Sequence, residues 1–526
     1  MRRWVLFPLG IIGLLIGCGR GAPSSPSASP SPAATAVPTS ASPSPWVTAA
    51  SSPIPSAHCG LPFQPSRSLP SVDLLSLTWT TQPFPGLPIR LLGPSLRPLL
   101  PWGVSPDGRW LVIASPQDEL RGLAEIARVA RHPLNRSIWL NRSITLLSPL
   151  VQPSARPLPA WTRWQGWPWT VSWLKDGTAL WVNEEGQIEW GDGTAVEQLP
   201  APAPLVWIEG SPSGQGFARD TTGGLWRFDL PRRRWEPVTP AELQGSTLGG
   251  WGPDHTWFLV WTDCPPMTPP GPELPGATWQ GLRFWRVPLR EDQPARRLGQ
   301  VVLPMVGTDA WMPPHQPLED GSRWILGLPL GNGGIGALVD VEEGRWWDAA
   351  ALGLPPGWFV REIQASPRGG WVAIHAQRQE APELPGRLIL RSAALQGSSW
   401  EREGMGVVAW HPEDRAVVLG EGGFGPPDTL APLRLLPLPP TQEPTTLGVA
   451  GWPIAFTQDR VVAVDRAHPA RVLAFDLEGH LRDTLDLSGW VERVRTLLGA
   501  GAAVYLDVGW TEGEGCRYGL IEWIPR

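Results

Sequence analysis

Trp102-Gly103-Val104-Ser105-Pro106-Asp107-Gly108-Arg109-Trp110-Leu111-Val112-Ile113 reads as two short strands joined by a tight turn. Pro fixes φ early in such a turn, Asp bonds the turn backbone, and Gly takes a positive φ. The run from Trp110 is aromatic and β-branched, the composition of a buried strand. The same shape recurs with drift. Val171-Ser172-Trp173-Leu174-Lys175-Asp176-Gly177, Val206-Trp207-Ile208 with Ser211-Pro212-Ser213-Gly214, and Trp251-Gly252-Pro253-Asp254 are three further copies. Ser366-Pro367-Arg368-Gly369 and Trp410-His411-Pro412-Glu413-Asp414 complete the clear set, each leading into an apolar run. Weaker copies surround Glu319 to Trp324, Phe456 to Asp459 and Leu497 to Leu506.

A second hairpin pattern follows the first. Leu225-Trp226-Arg227-Phe228-Asp229-Leu230, Ala337-Leu338-Val339-Asp340 and Leu473-Ala474-Phe475-Asp476 each end a strand on Asp before a turn. Two hairpins make four strands, and four short strands in a period near 40 residues is the β-propeller signature. The expected fold is all-β, a single propeller of about eight four-stranded blades, with seven or nine possible. Ile89-Arg90-Leu91-Leu92 is expected to complete the sheet of the last unit at Gly519 to Ile524, because an open ring exposes a strand edge.

The Ser-Pro-Asp-Gly turns resemble those of TolB-type and WD40-like bacterial propellers over roughly residues 70–526. Asp340-x-x-x-Gly344-Arg345-x-Trp347 looks like the docking repeat of quinoprotein-type propellers. Neither resemblance carries an activity.

The N-terminus carries an address. Arg2 and Arg3 precede an apolar run, Val5 to Ile16, too short to span a bilayer, which reads as an export signal peptide. Leu15-Ile16-Gly17-Cys18 resembles the lipobox of bacterial lipoproteins. That resemblance implies cleavage before Cys18 and acylation there, by diacylglycerol and palmitate-type chains, as the membrane anchor. Residues 1–17 are then signal peptide, 18–58 the lipidated Cys and a disordered Ser/Pro/Ala-rich tether, and 59–526 the propeller domain. Pro every few residues keeps such a tether extended at roughly 3 Å per residue. The expected location is extracytoplasmic, on the outer membrane or on the outer face of the cytoplasmic membrane.

Composition narrows the partner. Arg2, Arg3 and Arg20 account for three of the 43 basic residues, and all 49 acidic residues follow residue 58, so the domain has a net charge of −9. That excludes a nucleic-acid binder, whose phosphate contacts need a basic face. With Cys18 lipidated, Cys59, Cys264 and Cys516 remain in an oxidising compartment. Three pairings are possible; strand closure favours Cys59 with Cys516.

Long insertions at Gln117 to Arg136, Cys264 to Gln280, Pro329 to Ile335, Ala376 to Arg387 and Glu421 to Pro432 are all assigned between a unit's second and third strands. That places them on one face of the propeller. In the first, Leu120, Leu123, Ile126, Ala127 and Ala130 fall at helical spacing, which predicts a short helix over that face. Trp161, Trp164, Trp167 and Trp169 enter the second unit from the same face. Exposed indoles beside Arg163 would stack on a glycan or grip a proline-rich peptide, whereas buried ones would only pack blades.

Motifs for chemistry are sparse. Gly331-Asn332-Gly333-Gly334-Ile335-Gly336 fits G-x-G-x-x-G but leads into a strand pattern, so it reads as a hairpin loop and not a dinucleotide site. No G-x-S-x-G, H-E-x-x-H or paired C-x-x-C occurs, and no metal or cofactor is expected. The reading is a non-catalytic binding or scaffold module for a protein or envelope polymer. The alternative is a carbohydrate-active enzyme, a glycosidase or lyase, using funnel carboxylates such as Asp309, Glu319 and Glu362.

Overall fold

A four-stranded antiparallel sheet buries both faces only if another sheet covers each one, and among the described residues nine units built on this plan follow one another. The computed structural model describes residues 79–526, apart from 158–171, 265–277, 306–314, 422–431 and shorter stretches, most of them between 81 and 195. The signal, the tether, Cys18, Cys59, the Ser105 to Gly108 turn, Asp309 and the four tryptophans from Trp161 to Trp169 lie outside the described residues.

The chain is an all-β propeller. Among the described residues its units run in chain order: unit 1 from 100, unit 2 over 172–199, unit 3 over 205–237, unit 4 over 247–305 and unit 5 over 316–347. Unit 6 covers 358–403, unit 7 covers 405–446, unit 8 covers 450–486 and unit 9 begins at 493. Units 5 and 6 share a sheet only through one parallel contact, Ile335 with Glu362. Nine is the upper end of the expected range.

Consecutive units share cores. Phe217 of unit 3 packs with Phe258 and Trp285 of unit 4, and Trp257 of unit 4 with Trp324 of unit 5. The last two rings meet edge to face at 5.8 Å, a geometry that adds about 1 kcal/mol beyond area burial. Unit 9 packs on unit 1 through Tyr505 and Leu520 against Leu111 and Ile113.

The expected pairing of the N-terminal strand with the last unit is present. Ile89–Ser95 is the fourth strand of unit 9, with Ile89 opposite Trp523, Leu91 opposite Ile521 and Leu92 opposite Leu520. Arg90 Nε donates to Glu522 Oε2 at 2.6 Å, and the Tyr505 hydroxyl donates to Glu522 Oε1 at 2.9 Å.

The turns follow their residues. Gly214, Gly321 and Gly369 take φ of 82°, 73° and 74°, and where Gly is replaced His255 and Asp414 hold φ of 56°. A side chain at Gly369 would sit 2.7 Å from the Pro317 carbonyl oxygen of unit 5. Asp414 of unit 7 accepts from the Ser366 hydroxyl at 2.5 Å and from the amides of Arg368 and Gly370, tying its turn to that of unit 6. The Asp of the second hairpin pattern caps its turn: Asp340 accepts from the amides of Glu342 and Glu343 at 2.9 Å. Asp476 does the same for Glu478 and His480. Burial alone would raise the Asp476 carboxyl, but the His480 amide and Arg482 hold it at about 2.

The expected helix is absent. Leu123–Ala130 is a strand paired antiparallel with Trp110–Asp118. The edge of Trp110–Asp118 needs a backbone partner, and this demand overrides a spacing of apolar residues that serves either structure. Residues 119–122 alone join these strands, so Gln117 to Arg136 is not an insertion in that slot.

One buried group strains the seam between units 9 and 1. Asp507 is fully buried; among the described residues its Oδ1 receives only the Leu99 amide, at 3.4 Å, and Arg495 Nε stands 3.8 Å from Oδ2. Burial pushes this carboxyl up to about 7, against the pull of Arg495 and the Leu99 bond. In the unfolded chain it titrates near 3.9. Between about pH 4 and pH 7 only the unfolded chain then releases the proton, so stability falls across that window and levels off above it. The melting temperature of the native protein is expected to decline relative to Asp507→Asn from pH 4 to pH 7; parallel curves would show that Asp507 is ionised in the fold.

Candidate binding face

In an antiparallel meander the loop between second and third strands shares a face with the connection into the next unit. The tight first-to-second turns and third-to-fourth hairpins occupy the other face. Four of the five expected insertions keep their place on the long-loop face: second strands end at Cys264, Pro329, Arg378 and Glu421, and third strands begin at Thr278, Ile335, Arg387 and Arg434. The G-x-G-x-x-G run is the second of these loops and opens the strand Ile335–Asp340, as its hairpin reading requires.

Two cavities open on this face. One, of about 460 Å³, lies between units 5 and 6 under the connection 348–357 and is lined by Trp346, Trp347, Leu354, Pro355, Trp358 and Phe359. The strand Arg345–Trp347 points alternate indoles to opposite neighbours, so Trp346 packs toward unit 4 and Trp347 toward unit 6. The Arg378 and Arg387 guanidinium groups lie 5.3 and 4.9 Å from the Trp358 ring centre, which favours the cations electrostatically. Pro355, Pro356 and Gly357 are exposed at the rim.

The second cavity, of about 510 Å³, lies between units 6 and 7 and is polar, with Arg402, Glu403, Glu421 and Arg434 around Met405. Two of its charges are paired: Glu403 with Arg387, which also contacts Glu401, and Arg402 with Glu443.

Toward the axis, the first strand of unit 6, Trp358–Ala365, carries a chain of polar contacts. The Trp410 indole N–H donates to Gln364 Oε1 at 3.3 Å, Gln364 Nε2 donates to Glu362 Oε1 at 3.2 Å, and Arg361 donates to Gln377 Oε1 at 3.0 Å. Burial raises the Glu362 carboxyl above its ordinary value despite Gln364 and Arg361. His375, opposite Glu362 on the next strand, is held neutral, its pKa lowered to about 4 by burial and by Arg361. A neutral imidazole and a reluctant carboxylate together suit hydrogen bonding to a polar, uncharged or cationic group.

The structure separates two of the expected funnel carboxylates. Glu319 is exposed on a tight turn of unit 5, on the other face from the long loops, whereas Glu362 is half-buried near the axis. Among the described residues no three His, Cys, Asp or Glu side chains converge as metal ligands. Cys516 is disulfide-bonded, and Cys264 is a free, buried thiol raised by burial.

The groove of unit 5 was not foreseen from sequence, although Trp346-Trp347 followed by Pro355-Pro356-Gly357-Trp358-Phe359 is a dense aromatic and proline run. Its signal was composition without position, since no local pattern says which indoles share a cavity.

No protein-family model matches the chain, and no curated protein matches its sequence. Among solved structures it is similar to BamB from Moraxella catarrhalis, at 11% identity and a TM-score of 0.33, over 66% of this chain and 95% of that one. It is also similar to the β-propeller domain of Cps50 (Swd1) from Myceliophteria thermophila, at 13% and 0.28, over 62% and 98%. Hydrazine synthase from Kuenenia stuttgartiensis follows at 10% and 0.26, over 57% and 91%. Likenesses this low say nothing of function, and the class, a β-propeller, rests on the sheet order of the chain itself.

Proposed function

We propose that this chain is a lipid-anchored, extracytoplasmic β-propeller that binds a protein or envelope polymer through its long-loop face without catalysis. The observation that carries the reading is the coincidence of the long second-to-third-strand loops and both cavities on one face. Rigid scaffolds with variable loops gathered at one end are built for recognition. The anchor comes from the lipobox-like Leu15-Ile16-Gly17-Cys18, since two or more acyl chains hold a protein firmly where one does not. The carbohydrate-active reading rests on Glu362 alone among the described funnel carboxylates and takes second place.

Cys18→Ser is expected to move the protein from the membrane fraction to the soluble fraction; retention after a high-salt wash would end the lipoprotein reading. Partner capture from the host's own envelope tests the face. Arg378→Glu, on the exposed rim of the long-loop face, should reduce capture about tenfold or more, while Glu343→Arg, on a hairpin of the other face, should leave it unchanged. Equal loss in both variants, or none in either, would remove the assignment of the face. We further propose Cys59 as the partner of Cys516, because lipidation takes Cys18 and Cys264 is free. Non-reducing peptide mapping should find that link; a Cys264 link to either one would overturn it.

A further inference from the structure

From residue 19 to residue 58 the sequence is mainly Ser, Pro, Ala and Thr, yet it contains one indole, in Pro43-Ser44-Pro45-Trp46-Val47. A segment that only spaces a domain from a membrane has no use for a large apolar side chain, which in water favours burial by about 2 kcal/mol. We propose that Trp46 docks within its own chain into the groove between units 5 and 6, with Pro43 and Pro45 laid along the rim.

The groove fits this occupant. Its walls are aromatic and proline-rich, the surface on which polyproline-type segments dock because their extended form is already low in entropy. At about 460 Å³ it has room for one indole and a neighbouring ring.

The path of the chain agrees. Trp79–Thr80 pairs with the closing strand, Trp79 opposite Leu92 and Thr80 opposite Leu91. Since Ile89 lies at the tight-turn end and Ser95 toward the long-loop end, the chain reaches Trp79 from the side of the long-loop face. With Cys59 held at Cys516, near the long-loop end of the strand Gly515–Trp523, the segment from Trp46 to Cys59 reaches about 45 Å when extended. A domain of this size has a radius of gyration of only roughly 22 Å. A tethered segment sees its site at an effective concentration on the order of 1 mM, so weak contacts suffice to populate the docked form. The docked segment would cover part of the proposed binding face, and a partner would have to displace it; that regulatory meaning rests on the proposed function, but docking itself does not.

The test uses the full chain without any partner. Elastase cleavage at Val47 to Ala50 is timed for the native protein and for Trp46→Ala, a change in the tether that leaves the propeller sequence intact. The expected result is cleavage about 2- to 10-fold faster in the variant. In a second arm a benzophenone amino acid replaces Val47, and light and heavy isotope-labelled chains are mixed before irradiation. Cross-links to residues 346–359 of the same chain are expected. Equal cleavage rates, cross-links elsewhere on the propeller, or cross-links joining light to heavy chains, which would make a second copy the occupant, each overturn the proposal.

Discussion

The pairing of Ile89–Ser95 with Gly515–Trp523 is the constraint on which the rest depends. Unit 9 has only three strands of its own at the C-terminal end, and without the fourth its outer ladder of N–H and C=O groups would be left open. The same strand brings Leu92 into the core that joins unit 9 to unit 1. This non-local contact joins residues more than 400 positions apart and sets the N-terminal strand at the edge of the last unit.

Within that frame the units are held to each other by two kinds of contact, both written in side-chain chemistry. Between sheets the faces are filled by large aromatic groups, which explains a chain with 33 Trp and 2 Tyr: Trp324 and Trp523 are almost completely buried, and Trp257 and Trp285 nearly so. At the tight-turn face the contact is polar. Asp414 reaches back to Ser366, Arg368 and Gly370 of the preceding unit, and burial raises its carboxyl against the opposing pull of these hydrogen bonds. Between units 5 and 6 the backbone contact of Ile335 with Glu362 is a single bridge, and toward the long-loop face beside it a cavity forms.

Much of this was legible because turns are local. The nine hairpins anticipated from Trp102 to Leu506 coincide with the nine units, yet the expected number was eight, since the faintest copy, Leu497 to Leu506, lacks the Pro and Asp that make a turn readable. In unit 9 the turn rests on Gly501 alone, at φ 61°. The second pattern was equally local, because Asp340 and Asp476 bond amides two to four residues away. What failed was whatever depends on a distant partner. Leu123–Ala130 has a helical spacing that only a neighbouring strand overrules, and the alternation of Trp346 and Trp347 toward different units is set by packing that no window of sequence contains.

The position of the closing strand also decides how the molecule bears force. With Cys59 as the partner proposed for Cys516, tension arriving along the N-terminal segment passes through that disulfide into the strand Gly515–Trp523 before it reaches Trp79–Thr80. Behind it stands the ladder from Ile89 to Ser95, with the Arg90 and Glu522 pair beside it. A pull on the N-terminal segment is therefore delivered straight to the sheet that joins first and last units, and the short outer strand is shielded from load until the disulfide is reduced.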